Sequence, residues 1–171
     1  EVARHLSENN IELPYKLYIV NSVQEEIGLR GAEMIAQTIK PNVAIITDVC
    51  HETSSPCYTP SKQGEHVAGN GGVITRSPAV HNKLRQLVLD TAEEKQIPYQ
   101  LAASSRSTGT DTESFAYSNG GTPSVLISLP LKYMHTTVES VHKNDVRNVI
   151  KLIYETLLNI KENHDFKYNS K

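Results

Sequence analysis

Two adjacent glutamates, Glu25-Glu26, one aspartate, Asp48, and one histidine, His135, are the residues whose types could share a single chemical task. Carboxylate oxygens and an imidazole nitrogen are hard-to-borderline donors that suit zinc, cobalt or manganese. With two carboxylates and the imidazole on metal, a further carboxylate left uncoordinated can serve as a general base. Neighbouring side chains on an extended backbone point to opposite sides, so one glutamate can bind metal while the other faces the water to be activated. Each residue also has a plain reading. A Glu-Glu pair is commonly a solvated turn, and an aspartate at a strand end commonly caps the loop that follows. The distinction rests on whether the chain brings all four to one rim.

The pattern of the chain predicts that it does. Leu17–Val23 (LYIVNSV) reads as a strand, and Ala32, Ile35, Ala36 and Ile39 recur at i, i+3, i+4, i+7 as a helix face. Val43–Thr47 (VAIIT) is a continuous apolar run, the mark of a strand buried on both sides. His51–Gly72 is polar and rich in Ser, Pro and Gly, which predicts a long loop, with an edge strand near Val73–Thr75. Ser77-Pro78 predicts a helix start, its buried face formed by Leu84, Leu87, Val88, Thr91 and Ala92. Tyr99–Ala102 and Ser124–Leu129 are further strands, and Val146, Val149, Ile150, Ile153, Leu157 and Ile160 mark a long last helix. Strands alternating with helices imply an α/β fold, a mainly parallel sheet covered on both faces. Ligands in such folds bind beyond the carboxyl ends of the strands. Glu25-Glu26 follows the first predicted strand, Asp48 ends the second, and His135 lies beyond the fourth.

Longer stretches around these residues are themselves recognisable. Val23-Gln24-Glu25-Glu26-Ile27-Gly28-Leu29-Arg30-Gly31-Ala32 resembles the signature of the glutamyl aminopeptidase/endoglucanase-M family of dinuclear metallo-aminopeptidases, which includes tetrahedral, dodecameric enzymes. Thr47-Asp48-Val49-Cys50-His51 resembles the family's Asp-Val-Thr-His segment, and Tyr133-Met134-His135-Thr136-Thr137-Val138-Glu139 its Tyr-Met-His-Ser-Pro-Val-Glu segment. The resemblance is collinear over nearly the whole chain, including Gly69–Ile74 and Gly109-Thr110-Asp111. Cys50 for Thr and Thr137 for Pro are departures, and neither removes a ligand. The resemblance implies a three-layer α/β/α sandwich of the zinc-peptidase kind, acting as an aminopeptidase on peptide substrates. By position, it makes Glu25 the general base, Glu26 and His135 ligands of one metal, and Asp48 a ligand of the other. Two cations, zinc or cobalt, would lower the pKa of a shared water and polarise the scissile carbonyl. The substrate's free α-amine would sit against one metal, which explains trimming from the N-terminus.

Other polar residues carry weaker signals. His51-Glu52 fails as an HExxH zinc helix, because position 55 is Ser and the surroundings are a loop. His51 is instead weighed between supporting Asp48 from behind and plain structure. Thr110-Asp111-Thr112-Glu113 matches a capping box opening a helix over 111–118, which assigns Asp111 to the cap. The resemblance would place that loop near the substrate, with Asp111 able to contact the peptide. His5, His66, His81, His142 and His164 read as surface residues. Gly28-Leu29-Arg30-Gly31 lacks the spacing of a phosphate loop and reads as a tight turn that fixes Glu26. Cys50 and Cys57 form neither a disulfide framework nor a CxxC pair, and a reducing, cytoplasmic setting follows.

Composition narrows the classes. A net charge of -2 argues against nucleic acid or an anionic membrane as the main partner, and no apolar run approaches a membrane span. Glycoside hydrolysis needs two carboxylates across a cleft commonly lined with aromatic rings. With Trp 0 and Phe 2, and no aromatic cluster near Glu25-Glu26, that chemistry is disfavoured. A non-catalytic fragment or scaffold of the same fold is the remaining alternative. Two adjacent metals need about five protein groups, and the chain offers three in convincing positions. The resemblance puts a histidine, a bridging aspartate and an inserted dimerisation domain upstream of the first motif. Residues Glu1–Glu8 then look like the rest of the helix after that aspartate. The expectation is the C-terminal portion of one catalytic domain (1–171), with an incompletely built metal site, exposed apolar surface, and no activity alone. A dimer-to-dodecamer assembly is expected of the whole protein.

Overall fold

The computed structural model describes residues 1–56 and 58–168, apart from the side chains of residues 60 and 63. Cys57 therefore lies outside the described residues. The elements run α1 (Val2–Glu8), α2 (Arg30–Ile39), β1 (Ala44–His51), α3 (Pro60–Gln63), β2 (Gly72–Arg76), α4 (Asn82–Glu94), β3 (Tyr99–Ala103), α5 (Thr112–Ala116), β4 (Ser124–Lys132), β5 (Ser140–Val141) and α6 (Lys143–Asn159). The main sheet has the order β1-β4-β2-β3, with β5 paired to β4 beyond it. β1 and β4 are parallel, as are β2 and β3, but β2 and β4 run antiparallel. The carboxyl ends of β1 and β4 therefore lie at one edge of the sheet and those of β2 and β3 at the other, with Asp48 in the carboxyl half of β1 and His135 just beyond β4.

The apolar runs explain the layering. β4 carries Val125, Leu126 and Ile127 with at most 3% exposure, so both faces of the sheet are covered. α1, α4 and α6 pack together on one side, while α2 and α5 pack on each other and over β1 and β4. Ile74, Leu84, Val88, Ile127, Val149 and Leu152 form the centre of the core. Each contributes about 1.5–3 kcal/mol by leaving water. The three-layer α/β/α arrangement with a mixed sheet is as expected. Among the described residues, no helix is long and apolar enough to cross a membrane.

Several local expectations are corrected. Leu17–Val23 is not a strand. An apolar extended segment becomes one only when a neighbour offers a ladder of donors and acceptors, and among the described residues none pairs with it. Tyr18, Ile19, Val20 and Val23 are exposed, as are Ile27 and Met34 nearby. β2 is an interior strand, held between β4 and β3, because its residues 72–75 are buried on both faces. Ser77-Pro78 opens a turn, closed by Val80 N–H on the Ser77 carbonyl at 3.0 Å, and α4 starts later. Its cap is His81, whose Nδ1 accepts from Leu84 N–H at 3.3 Å. His81 and His66 are buried, at 6% and 7% exposure. His81 lies against the rings of Phe166 and Tyr168, contacts that a one-dimensional pattern does not reveal.

Candidate active site

Glu25 and Glu26 sit in a tight turn between an extended segment and α2. Gly28 and Leu29 N–H donate to the Glu25 carbonyl at 3.1 and 2.9 Å, Arg30 N–H to Gln24 at 3.3 Å, and Gly31 N–H to Val23 at 2.9 Å. Leu29 takes the left-handed conformation (φ 56°) at the helix entry, and Ser114 Oγ donates to its carbonyl at 3.3 Å. At Gly31 the turn closes on itself. A Cβ there would meet Val23 O at 2.3 Å, so the close approach requires glycine. The reading of this glycine pair as a turn holds. The turn, rather than alternation along a strand, separates the two glutamates: Glu25 is half-buried and Glu26 exposed.

His135 arrives from the other end of the chain. It lies in the loop of the hairpin formed by β4 and β5, where Leu131 pairs with Val141 and Lys132 with Ser140. Its Nε2 lies 3.1 Å from Glu26 Oε1, across 109 residues of sequence. Both side chains are well exposed, 65% and 72%, so the contact itself adds little stability. Its meaning is placement.

Asp48 does not end β1, which runs on to His51. It is half-buried, and its Oδ1 accepts from Val49 N–H at 2.7 Å. Asp111 makes no capping bond. The helix start is served instead by Thr110 Oγ1, which accepts from Thr112 N–H at 3.2 Å, and by Glu113, which accepts from Thr108 N–H at 2.6 Å. Asp111 is left to face inward. Its Oδ2 accepts from Ser22 Oγ, and its buried Oδ1 has no partner among the described residues. Ser22 went unnoticed in the sequence because its partner is 89 residues away and nothing local marks it. His51 is directed elsewhere: its Nδ1 is 2.8 Å from Tyr58 Oη, with the two rings 5.1 Å apart. Residues 48 and 51 fall on opposite faces of a strand, so His51 does not support Asp48.

The carboxylates feel one another. Burial pushes the Glu25 carboxyl above its usual range, and the charges of Asp48, Glu26 and Asp111 push it further, with His135 opposing. Burial also raises Asp48, against the Val49 N–H, and Asp111 and Glu26 add to the rise. Cys50 on the same strand is driven up to about 12, first by burial and then by Asp48, so it is a protonated, inert thiol. Crowded carboxylates with an orphaned, buried oxygen and a nearby imidazole are the chemistry of a cation site, and the donor types suit zinc or cobalt. Among the described residues, however, no three His, Cys, Asp or Glu side chains converge closely enough to enclose a metal. The donors fit such an ion in kind and fall short of a closed shell in number.

Known proteins share this arrangement of sequence and fold. The family described as M42 glutamyl aminopeptidase matches residues 1–152. The lysyl aminopeptidase of Pyrococcus furiosus is 38% identical over 163 residues, covering 94% of this chain and 44% of that protein. The crystal structure of a TET aminopeptidase from a marine sediment Thaumarchaeota archaeon superposes with a TM-score of 0.85 at 30% identity, covering 91% of this chain and 44% of that one. The Pyrococcus horikoshii TET1 peptidase, which can assemble into a tetrahedron or a large octahedral shell, matches with a TM-score of 0.60 at 30% identity over 78% of this chain and 38% of its own. This chain thus spans less than half the length of these relatives. On the match over residues 1–152 and these likenesses, the chain belongs to the M42 glutamyl aminopeptidase family.

Proposed function

We propose that this chain supplies the general base and part of the metal shell of a metal-dependent aminopeptidase that releases N-terminal residues from peptides. The observation that carries the reading is the meeting of Glu26 and His135 at 3.1 Å beside the mutually repelling carboxylates of Glu25, Asp48 and Asp111. Glu26 and His135 would hold one divalent ion and Asp48 the other, zinc or cobalt suiting this donor set. Such ions supply an acidified water and a polarised carbonyl. Glu25 is half-buried and its carboxyl is raised, which suits it to take a proton from water and return it to the leaving amine. Asp111, with its free oxygen, faces the same space and is a candidate contact for the peptide. A two-metal site needs about five protein groups and this chain offers three, so the 171 residues by themselves should be inactive. The relatives' assemblies support a homo-oligomer, and the cysteine usage a cytoplasmic setting.

The test is made at the relatives' full length. Glu25→Gln should leave metal content intact and cut turnover of a chromogenic aminoacyl amide by about 10²–10⁴-fold. Glu26→Gln and His135→Ala should lower the metal content found by elemental analysis. More than half of wild-type turnover in Glu25→Gln, or unchanged stoichiometry in both ligand variants, defeats the assignment. Cleavage of soluble cellulose without amide hydrolysis would point to a glycosidase instead.

A further inference from the structure

Resting on that reading, we infer that Glu139 is the positioning residue for His135, setting through the backbone the turn that delivers the imidazole to Glu26. The loop 133–139 contains two non-glycine residues in the left-handed region, Tyr133 at φ 58° and His135 at φ 62°. Neither has a short polar side chain of the kind that eases this conformation locally, so each costs of the order of a kcal/mol unless its surroundings hold it. Tyr133 is held by its own carbonyl, which accepts from Thr136 N–H at 3.2 Å and from Thr136 Oγ1 at 2.6 Å. His135 is held by Glu139, whose Oε1 accepts from the His135 N–H at 2.5 Å. A charge-assisted bond of that length is stronger than a neutral one. It spans four residues and joins the descending arm of the hairpin to the residue at its apex. Immediately beyond Glu139, Ser140 and Val141 pair with Lys132 and Leu131, so the carboxylate is anchored to the sheet rather than to a free loop.

The consequence is geometric. Among the described residues, the His135 side chain has no hydrogen bond besides the one to Glu26, and it is mostly exposed. No other hydrogen bond among these residues fixes its ring. The direction of the Cα–Cβ bond follows from φ, and φ is fixed by the Glu139 bond. Glu139 therefore acts on the imidazole without touching it. Its carboxylate also works from a place where a substitution leaves the core untouched, since the residue is exposed.

Three single variants of the 171-residue chain test this: Glu139→Ala, Glu139→Gln and, as reference, His135→Ala. The first readout uses the metal-free chain, as the nuclear Overhauser contact between the His135 ring and the Glu26 side chain. The second is zinc affinity by calorimetry. Glu139→Ala should lose the contact and weaken zinc binding by about 10-fold or more, the usual size for a residue that orients a ligand. Glu139→Gln keeps an oxygen acceptor and should retain the contact and stay within about threefold of wild type, on the same scale. An unchanged contact in Glu139→Ala overturns the inference, as does a Gln variant as impaired as Ala. If His135→Ala binds zinc as wild type does, the metal reading fails while the contact in Glu139→Ala still decides the positioning role.

Discussion

At the start of α6, Asp145 is fully buried, and its two oxygens accept from Gly69 N–H at 2.7 Å and Gly71 N–H at 2.8 Å. Glu52, 1% exposed, is likewise filled, by the hydroxyls of Ser54 and Ser55. The provision at the site is thinner: Asp48 is served by the amide of its own neighbour Val49, and Asp111 by one hydroxyl, that of Ser22. Glu25, Asp48 and Asp111 repel one another, and among the described residues a buried oxygen of Asp111 has no partner. The same functional group thus serves as a joint in one region and is only partly satisfied in another. Burial raises a carboxyl's pKa in both places, but donors reverse the effect at Glu52, whose carboxyl falls below its usual range. Unsatisfied charge kept at a surface rim is what a fold tolerates when something cationic is meant to complete it.

The largest effect should come from breaking the joint. Asp145→Ala strands two amides that now donate to a buried acceptor, and should cost about 3 kcal/mol or more. The shift in urea midpoint measures it, and a loss below about 1 kcal/mol would mean water or a neighbour replaces the carboxylate. Next comes the turn on the site side. Gly31→Ala forces a methyl onto Val23 O and should cost about 1–3 kcal/mol, with loss of the Glu26–His135 contact. Retention of both stability and contact would show that the turn is looser than its hydrogen bonds imply.

Two smaller effects sharpen the comparison by sign. Glu52 has a lowered folded-state pKa, so its contribution is present above the unfolded value near 4.3 and is lost as pH falls through the folded one. Glu52→Gln should therefore cost about 1 kcal/mol at pH 7, a gap that narrows from about pH 5 to pH 3. A gap independent of pH would assign the cost to shape rather than charge. Asp48 has a raised folded-state pKa. Its ionised form penalises the fold once pH passes the unfolded value near 3.9, and the penalty is complete above the folded value. With metal removed by chelator, Asp48→Asn should raise Tm by about 1–3 °C at pH 7 and leave it unchanged near pH 3. A lower Tm at pH 7 would place Asp48 with the structural carboxylates.

Much of the fold could be read from pattern. α2, α6, β1, β3 and β4 lie where apolar spacing put them, because each buries a face whose period matches its geometry. Leu17–Val23 shows the limit: its side chains have strand character, but a strand exists only with a partner, and pairing is not a property of one segment. Gly72–Arg76 errs the other way, since its place between β4 and β2's parallel partner β3 depends on where Ser124–Lys132 crosses the sheet. At the site, Glu25, Glu26, Asp48 and His135 could be picked out from their types and the stretches around them. Asp111 could be noticed but was assigned to a cap, because the local capping pattern around Thr110 and Glu113 is genuine and gives no hint that Asp111 turns away from it.

By itself, the order of residues determined which groups can do chemistry here, the α/β layering that carries them, and the glycine that lets the Glu25-Glu26 turn close. The tertiary structure alone decided that His135 reaches Glu26 across 109 residues, that Ser22 and Asp111 meet, and that His51 is drawn to Tyr58 instead of Asp48. The division has one cause: periodicity and turn chemistry act over a few neighbours along the chain, whereas the direction of a side chain at a rim is set by elements that approach only after the sheet has assembled.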